Sequence, residues 1–233
     1  MSVTYTINNA YKTYIRAGFT DIGARAMLIN MLAESGGYSN NLENTANNKW
    51  HISDNEATNQ INNGTLKIPM GYGYGFYQWT FPSRQIGLKN YADNLGVSID
   101  NEDMQIAYSL KELSEEYEYR ELFNYLKTTS DLREAVYKVM KVYEKPAVLN
   151  LDDRMSHEIE VTKALKMVVN EKPKEDSKDN TDNKVHTFSR ERTYHLQVIL
   201  KESGYDGCSI DGFMGPNTVK ELEKLISDLK NML

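Results

Sequence analysis

The 233-residue chain has one cysteine, Cys208, so it cannot close an internal disulfide. A lone thiol of this kind is read most simply as a small buried residue. Its four histidines, His51, His157, His186 and His195, lack the short spacings of a zinc site, which argues against a zinc amidase. Cys208 and His195 stand in no peptidase spacing either. Positive charge is also scarce. With 27 Lys and Arg against 33 Asp and Glu the formal charge is −6, which argues against a protein held to nucleic acid by phosphate contacts. No apolar run approaches the roughly 20 residues needed to cross a bilayer. The opening MSVTYTINNAYKTYIRAG lacks a basic start followed by an apolar stretch, so no secretory signal is expected and synthesis in the cytoplasm is. No metal or organic cofactor is implied. A monomer or weak oligomer is expected.

What is present is mostly helical pattern. The length allows one or two domains, each with its own core. Apolar residues at helical spacing predict helices over 4–17, 20–34, 83–95, 101–117, 119–127, 130–145 and 152–169. Thr20 or Asp21 is a plausible cap for the second, and Ser53 for a short helix ending at Gly64. Residues 35–70 are otherwise polar, asparagine-rich loop. GYGYGFYQWTFPSR, at 71–84, alternates glycine with aromatics and predicts extended structure with close backbone approach. Residues 171–187 carry many charges of both signs and almost nothing apolar, so they read as a linker. The tail beyond it predicts two helices, 190–202 and 217–233, joined by the turn-rich GYDGCSIDGFMGP.

The stretch MLINMLAESGG, at 27–37, ends an apolar helix with a carboxylate, Glu34, just before a glycine pair that stops it. Partial burial there disfavours the charged form of an acid, and an acid that keeps its proton near neutral pH is a general acid. Taken alone, the same pattern also describes an exposed residue at a helix end. Further along, Tyr and Trp suit the apolar faces of sugar rings, and Gln and Asn suit their hydroxyl and acetamido groups. One proton-bearing acid beside such a lining is what glycosidic cleavage requires, because the leaving oxygen must be protonated as the oxocarbenium-like transition state forms.

Glu34-Ser35-Gly36 at a helix end, followed by Gly75, Gln78, Trp79, Thr80 and then Arg84, resembles the lysozyme-like superfamily and most closely its phage-tail-lysozyme type. The resemblance covers about residues 15–148 and includes Lys145-Pro146 at a closing helix end. It implies a mainly helical fold, cleavage of bacterial peptidoglycan between amino sugars, and Glu34 as general acid. The partner of Glu34 stays open. Glu43, nine residues on, stands ahead of Asp54, and an arrangement with no second acid would instead resemble lytic transglycosylases. Inverting hydrolases need a base about 6.5–9.5 Å from the acid and retaining ones a carboxylate at about 5–5.5 Å. Gln78, Tyr77, Tyr74, Trp50 and Asp54 are the candidate substrate contacts. Arg84 reads as a residue that fixes the loop or a helix end.

In the tail, Leu196, Gln197, Leu200, Gly204, Tyr205, Asp211, Gly212, Gly215, Pro216 and Thr218 resemble the pattern of a peptidoglycan-binding domain, with Met214 where phenylalanine is usual. The expected organisation is therefore a lysozyme-like catalytic domain at 1–169, a charged linker at 170–187 and a helical wall-binding domain at 188–233. The resemblance implies an endolysin or a particle-borne lysin: a bacteriolytic enzyme that reaches the wall by holin-type release or from a phage particle. A lytic transglycosylase and a non-catalytic wall-binding or tail structural protein are the alternatives.

Overall fold

The structure, a computed structural model, describes residues 3–170 and, in the tail, 196–197, 199–201, 203–205, 207 and 216–231. The expected linker lies outside the described residues, as do His186, His195, Asp206, Cys208, Asp211, Gly212, Met214 and Gly215. The chain divides into two compact units, Met1–Ala92 with Ser98–Lys174, and Asp93–Val97 with Glu175–Leu233. The described residues are mainly helical and contain no strand, consistent with a lysozyme-like helical fold.

The first unit is built on α1 (Val3–Arg16), α2 (Asp21–Ser35), α3 (Asn44–Trp50), α4 (Asp54–Asn62), α5 (Pro82–Leu95), α6 (Glu102–Glu115), α7 (Arg120–Leu126), α8 (Leu132–Lys138), α9 (Leu151–Met155) and α10 (Glu158–Asn170). A π-helical turn, Val139–Glu144, continues α8. The organising element is α2. Ala24 and every residue from Ala26 to Leu32 are buried, so the helix is covered on all sides rather than along one stripe. It packs against α1, α7, α8, α9, α10 and the π turn. Thr20 caps its start by accepting from the Gly23 amide at 3.0 Å. Gly23 is required there, since a Cβ would stand 2.1 Å from the Leu126 carbonyl oxygen of α7. The helix ends at Gly36, which takes the left-handed conformation at φ 62° and returns its amide to the Leu32 carbonyl.

The structure departs from the sequence pattern in four places. Residues expected as loop form α3. The helix expected from residue 130 begins later, capped by Asp131, which accepts from the Glu134 amide at 3.0 Å. The single helix expected over 152–169 is broken into α9 and α10 by a turn at Ser156 and His157. The GYGYGFYQWT stretch is not extended but a succession of turns, with one isolated bridge between Leu42 and Tyr74. Positive φ at Gly71, Gly75 and Gln78 breaks any strand there.

In the second unit the helix Pro216–Asn231 is described. Residues 196–197 and 199–201 are helical, and Gln197 donates to the Thr218 hydroxyl at 2.8 Å. Leu200, Thr218 and Glu221 are buried, and Tyr205 donates to Asp228 at 2.6 Å.

Candidate active site

Glu34 occupies the last turn of α2, where the buried helix reaches the surface; its side chain is 18% exposed. Its Oε1 is ion-paired with Arg154 of α9, whose side chain is 8% exposed. Arg154 is held on its other side by donating to Asn30 Oδ1 at 2.9 Å. Asn30 is itself fixed, donating to the Ala26 and Val136 carbonyls at 2.8 and 3.2 Å. One turn of α2 therefore holds both Glu34 and the amide that orients its guanidinium partner.

Below this lies a second buried ion pair. Arg84 of α5 grips Glu112 of α6 with both arms, Nε to Oε1 and Nη2 to Oε2, each at 2.8 Å. Its Nη1 donates to the Tyr143 carbonyl at 3.0 Å, and its plane lies 4.4 Å from the Tyr143 ring centroid. Glu112 Oε2 also accepts from the Trp79 indole at 2.8 Å and the Tyr143 hydroxyl at 2.7 Å. The carboxylate is thus fully engaged, as a buried charge must be. Arg84 fixes helix and loop, as its position in the sequence suggested.

Glu144, at the end of the π turn, feels the charges of both pairs. The residue is half-buried, yet its Oε1 is buried with no hydrogen-bond partner. Burial, and next the neighbouring charge of Glu34, hold this carboxyl well above the usual carboxylate range, against the opposing pull of Arg84 and Arg154.

The expected substrate residues are engaged within the fold. Tyr74 and Tyr77 are each 1% exposed and belong to the core. Tyr74 meets the Thr58 hydroxyl at 2.5 Å and Tyr77 the Tyr14 hydroxyl at 2.5 Å, so neither ring offers a face to a sugar. This corrects their assignment. With no strand, residues three apart both turn inward. Gln78 is partly exposed but spends its amide within the loop, donating to the Asn41 side chain at 2.8 Å and to the Asn41 and Gly75 carbonyls at 3.1 Å. Trp50 is partly exposed, edge-on to Tyr72 at 5.0 Å.

Glu43 and Asp54 both knit the loop. Glu43 accepts from the Gly73 amide at 3.0 Å. Asp54 accepts from the Leu42 amide at 3.2 Å and from Asn47 at 3.0 Å. Tyr38, four residues past Glu34, is the aromatic that this loop turns outward, at 56% exposed. A cavity of ≈ 390 Å³ opens beside it, lined among others by Gly37, Tyr38, Ser39 and Asn40, but not by Glu34. Among the described residues no cluster of His, Cys, Asp and Glu is suited to a metal ion, and no helix is long and apolar enough to cross a membrane.

Sequence reasoning missed Arg154, Glu112 and Glu144. A signal for Glu144 was present: KVMKVYEKP ends an apolar helix with an acid just before a stop, as MLAESGG does.

The mainly helical first unit is consistent with a lysozyme-like fold. The family model for phage tail lysozyme matches residues 6–165, and the chain belongs to that family. Membership brings a lysozyme-like, peptidoglycan-lytic activity. No curated protein matches the chain.

Proposed function

We propose that the protein cleaves the glycan strand of bacterial peptidoglycan as a muramidase, with Glu34 as general acid. The supporting observation is the placement of Glu34: a partly exposed carboxylate on the last turn of the buried helix α2, directly before the loop that carries the exposed Tyr38. A rigid support of this kind holds a proton donor in position against a bound sugar. Tyr38 is the ring best exposed for stacking on that sugar. Glu43 is the candidate base, with Asp54 behind it. Residues 188–233 serve to hold the wall, and residues 170–187 link them to the catalytic unit. The protein acts on the wall after holin-type release or from a phage particle.

One observation favours a second reading. Glu43 Oε2 and Asp54 Oδ1 are both held by amide donors of the loop, which ties these two carboxylates to the loop structure. A lytic transglycosylase needs no such base, since the sugar's own hydroxyl attacks. Mass spectrometry of digested peptidoglycan separates the two: reducing ends support the muramidase, and anhydro-muramyl ends the transglycosylase. Glu34→Gln is expected to abolish lysis in a turbidity assay while wall binding persists. Wild-type activity in that variant would overturn the role of Glu34 in either reading.

A further inference from the structure

The two buried ion pairs leave one carboxylate over. Arg84 is matched by Glu112 and Arg154 by Glu34, and Glu144 stands beside both arginines with no counter-charge of its own. Three carboxylates facing two guanidiniums, with one buried carboxylate oxygen unpartnered, is a site that must retain a proton. Burying an uncompensated negative charge next to Glu34 would be costly. The π turn matters to this geometry. It closes on Lys145 in the left-handed conformation, at φ 53°, whose amide returns to the Met140 carbonyl at 2.9 Å. The turn packs directly on α2, the helix that carries Glu34. Irregular turns of this type recur at functional sites.

We propose that Glu144 is the proton-holding partner of Glu34: the free protein keeps one proton on Glu144, and that proton passes to Glu34 when the glycan binds. The inference rests on the reading of Glu34 as general acid, and it answers a difficulty in that reading. A general acid needs a proton, yet Glu34 rests against Arg154. Supply from Glu144 resolves this. Glu144 gives its proton to Glu34, and Glu34 gives one to the glycosidic oxygen. The C1–O bond breaks, with its electron pair leaving on the departing hydroxyl. The attacking hydroxyl, from water or from the sugar itself, bonds to C1 and returns a proton to the pair, so the cycle closes.

The charged groups that act on Glu144 come from every side: Glu34 from α2, Arg84 from α5, Glu112 from α6 and Arg154 from α9. The phenols of Tyr14, Tyr77 and Tyr143 also feel its charge, and all three are held above the ordinary phenol value, chiefly by burial. These phenols stay neutral through the working range, which leaves the carboxylates as the titrating set. Glu144 acts through Glu34 and is a positioning residue, with no contact to the sugar required.

The test is the pH profile of glycan cleavage on purified peptidoglycan for wild type, Glu144→Gln and Glu144→Asp, with melting curves to confirm folding. Gln keeps the shape but carries no exchangeable acid proton. Glu144→Gln is expected to move the alkaline limb of kcat at least one pH unit lower and to cut the neutral-pH rate at least about tenfold. Glu144→Asp should restore part of both. A Gln variant with the wild-type rate and profile would overturn the proposal and leave Glu144 a structural residue. Carbon-13 carboxyl NMR of the uncomplexed wild type and Glu34→Gln decides the matter independently of turnover. Glu144 is expected to titrate above the ordinary carboxylate range, and lower once the Glu34 charge is removed. An ordinary midpoint, or one unmoved by Glu34→Gln, would refute the shared proton. Absence of any glycan cleavage by wild type would instead sink the function itself, while the NMR result would still decide the pair.

Discussion

At the scale of single residues, the environments of Glu34, Glu112 and Glu144 set them apart. Glu112 accepts four hydrogen bonds from three side chains, and Glu34 is met by one arginine. Glu144 has an oxygen with no partner and a carboxyl held above its ordinary value of 4.5. This predicts a pH dependence of stability with a definite sign. An acid whose folded value is raised binds more protons folded than unfolded above pH ~4.5, so folding loses stability as pH rises from there toward the raised value. The slope for one group is at most about 1.4 kcal/mol per pH unit. Glu144→Gln removes it. Denaturant melts of wild type and variant from pH 4 to 8 should diverge, with the variant gaining relative stability at higher pH; parallel curves would contradict the buried-acid account. Glu34 was legible in the sequence because a helix stop follows an apolar run. Arg154 was not, because its partners lie 120 and 124 residues away. No local pattern reports contacts that long.

At the scale of elements, the helices were read correctly where one face or all faces are apolar, and less well where polar residues set the geometry. The limits of α2 followed from the sequence, since a buried helix needs both an apolar run and satisfied ends, and of the two cap candidates, Thr20 and Asp21, Thr20 is the cap. The glycine–tyrosine stretch misled because alternation was taken for a strand. The glycines serve instead as close-approach points: a Cβ at Gly75 would fall 2.7 Å from the Gln105 side chain. Gln105 threads this loop by accepting from the Phe76 amide at 2.9 Å and donating to the Ser39 and Ile99 carbonyls at 2.8 Å. Gly23 makes the same point at the start of α2. Gly23→Ala sets a methyl against backbone, which cannot swing aside as a side chain can. The variant is expected to lose about 1–3 kcal/mol or more in denaturant unfolding, whereas an unchanged midpoint would mean that α2 and α7 part freely.

At the scale of the whole molecule, composition and helical pattern were enough for the fold class, and two motifs at their spacing pointed to the family that the family model matches over residues 6–165. The carboxylate partners were beyond reach, because they are chosen by how α2, the π turn and α9 pack. The two-unit organisation carries its own prediction. Deleting residues 188–233 should weaken retention on purified cell walls, since tethering raises the local concentration of substrate. The remaining chain should keep its helical circular dichroism. Equal retention with and without the tail would count against wall binding there.

The seating of Glu34 on α2 has one more consequence. Segments that open readily in folded proteins are those with few buried contacts, and α2 stands at the opposite extreme, covered on all sides. Many proteins are switched by fraying the helix that carries a key group, and that route is closed here. Control over this carboxylate has to come from its charge partners or from access to the loop beside it, while the scaffold under it stays fixed for as long as the unit remains folded.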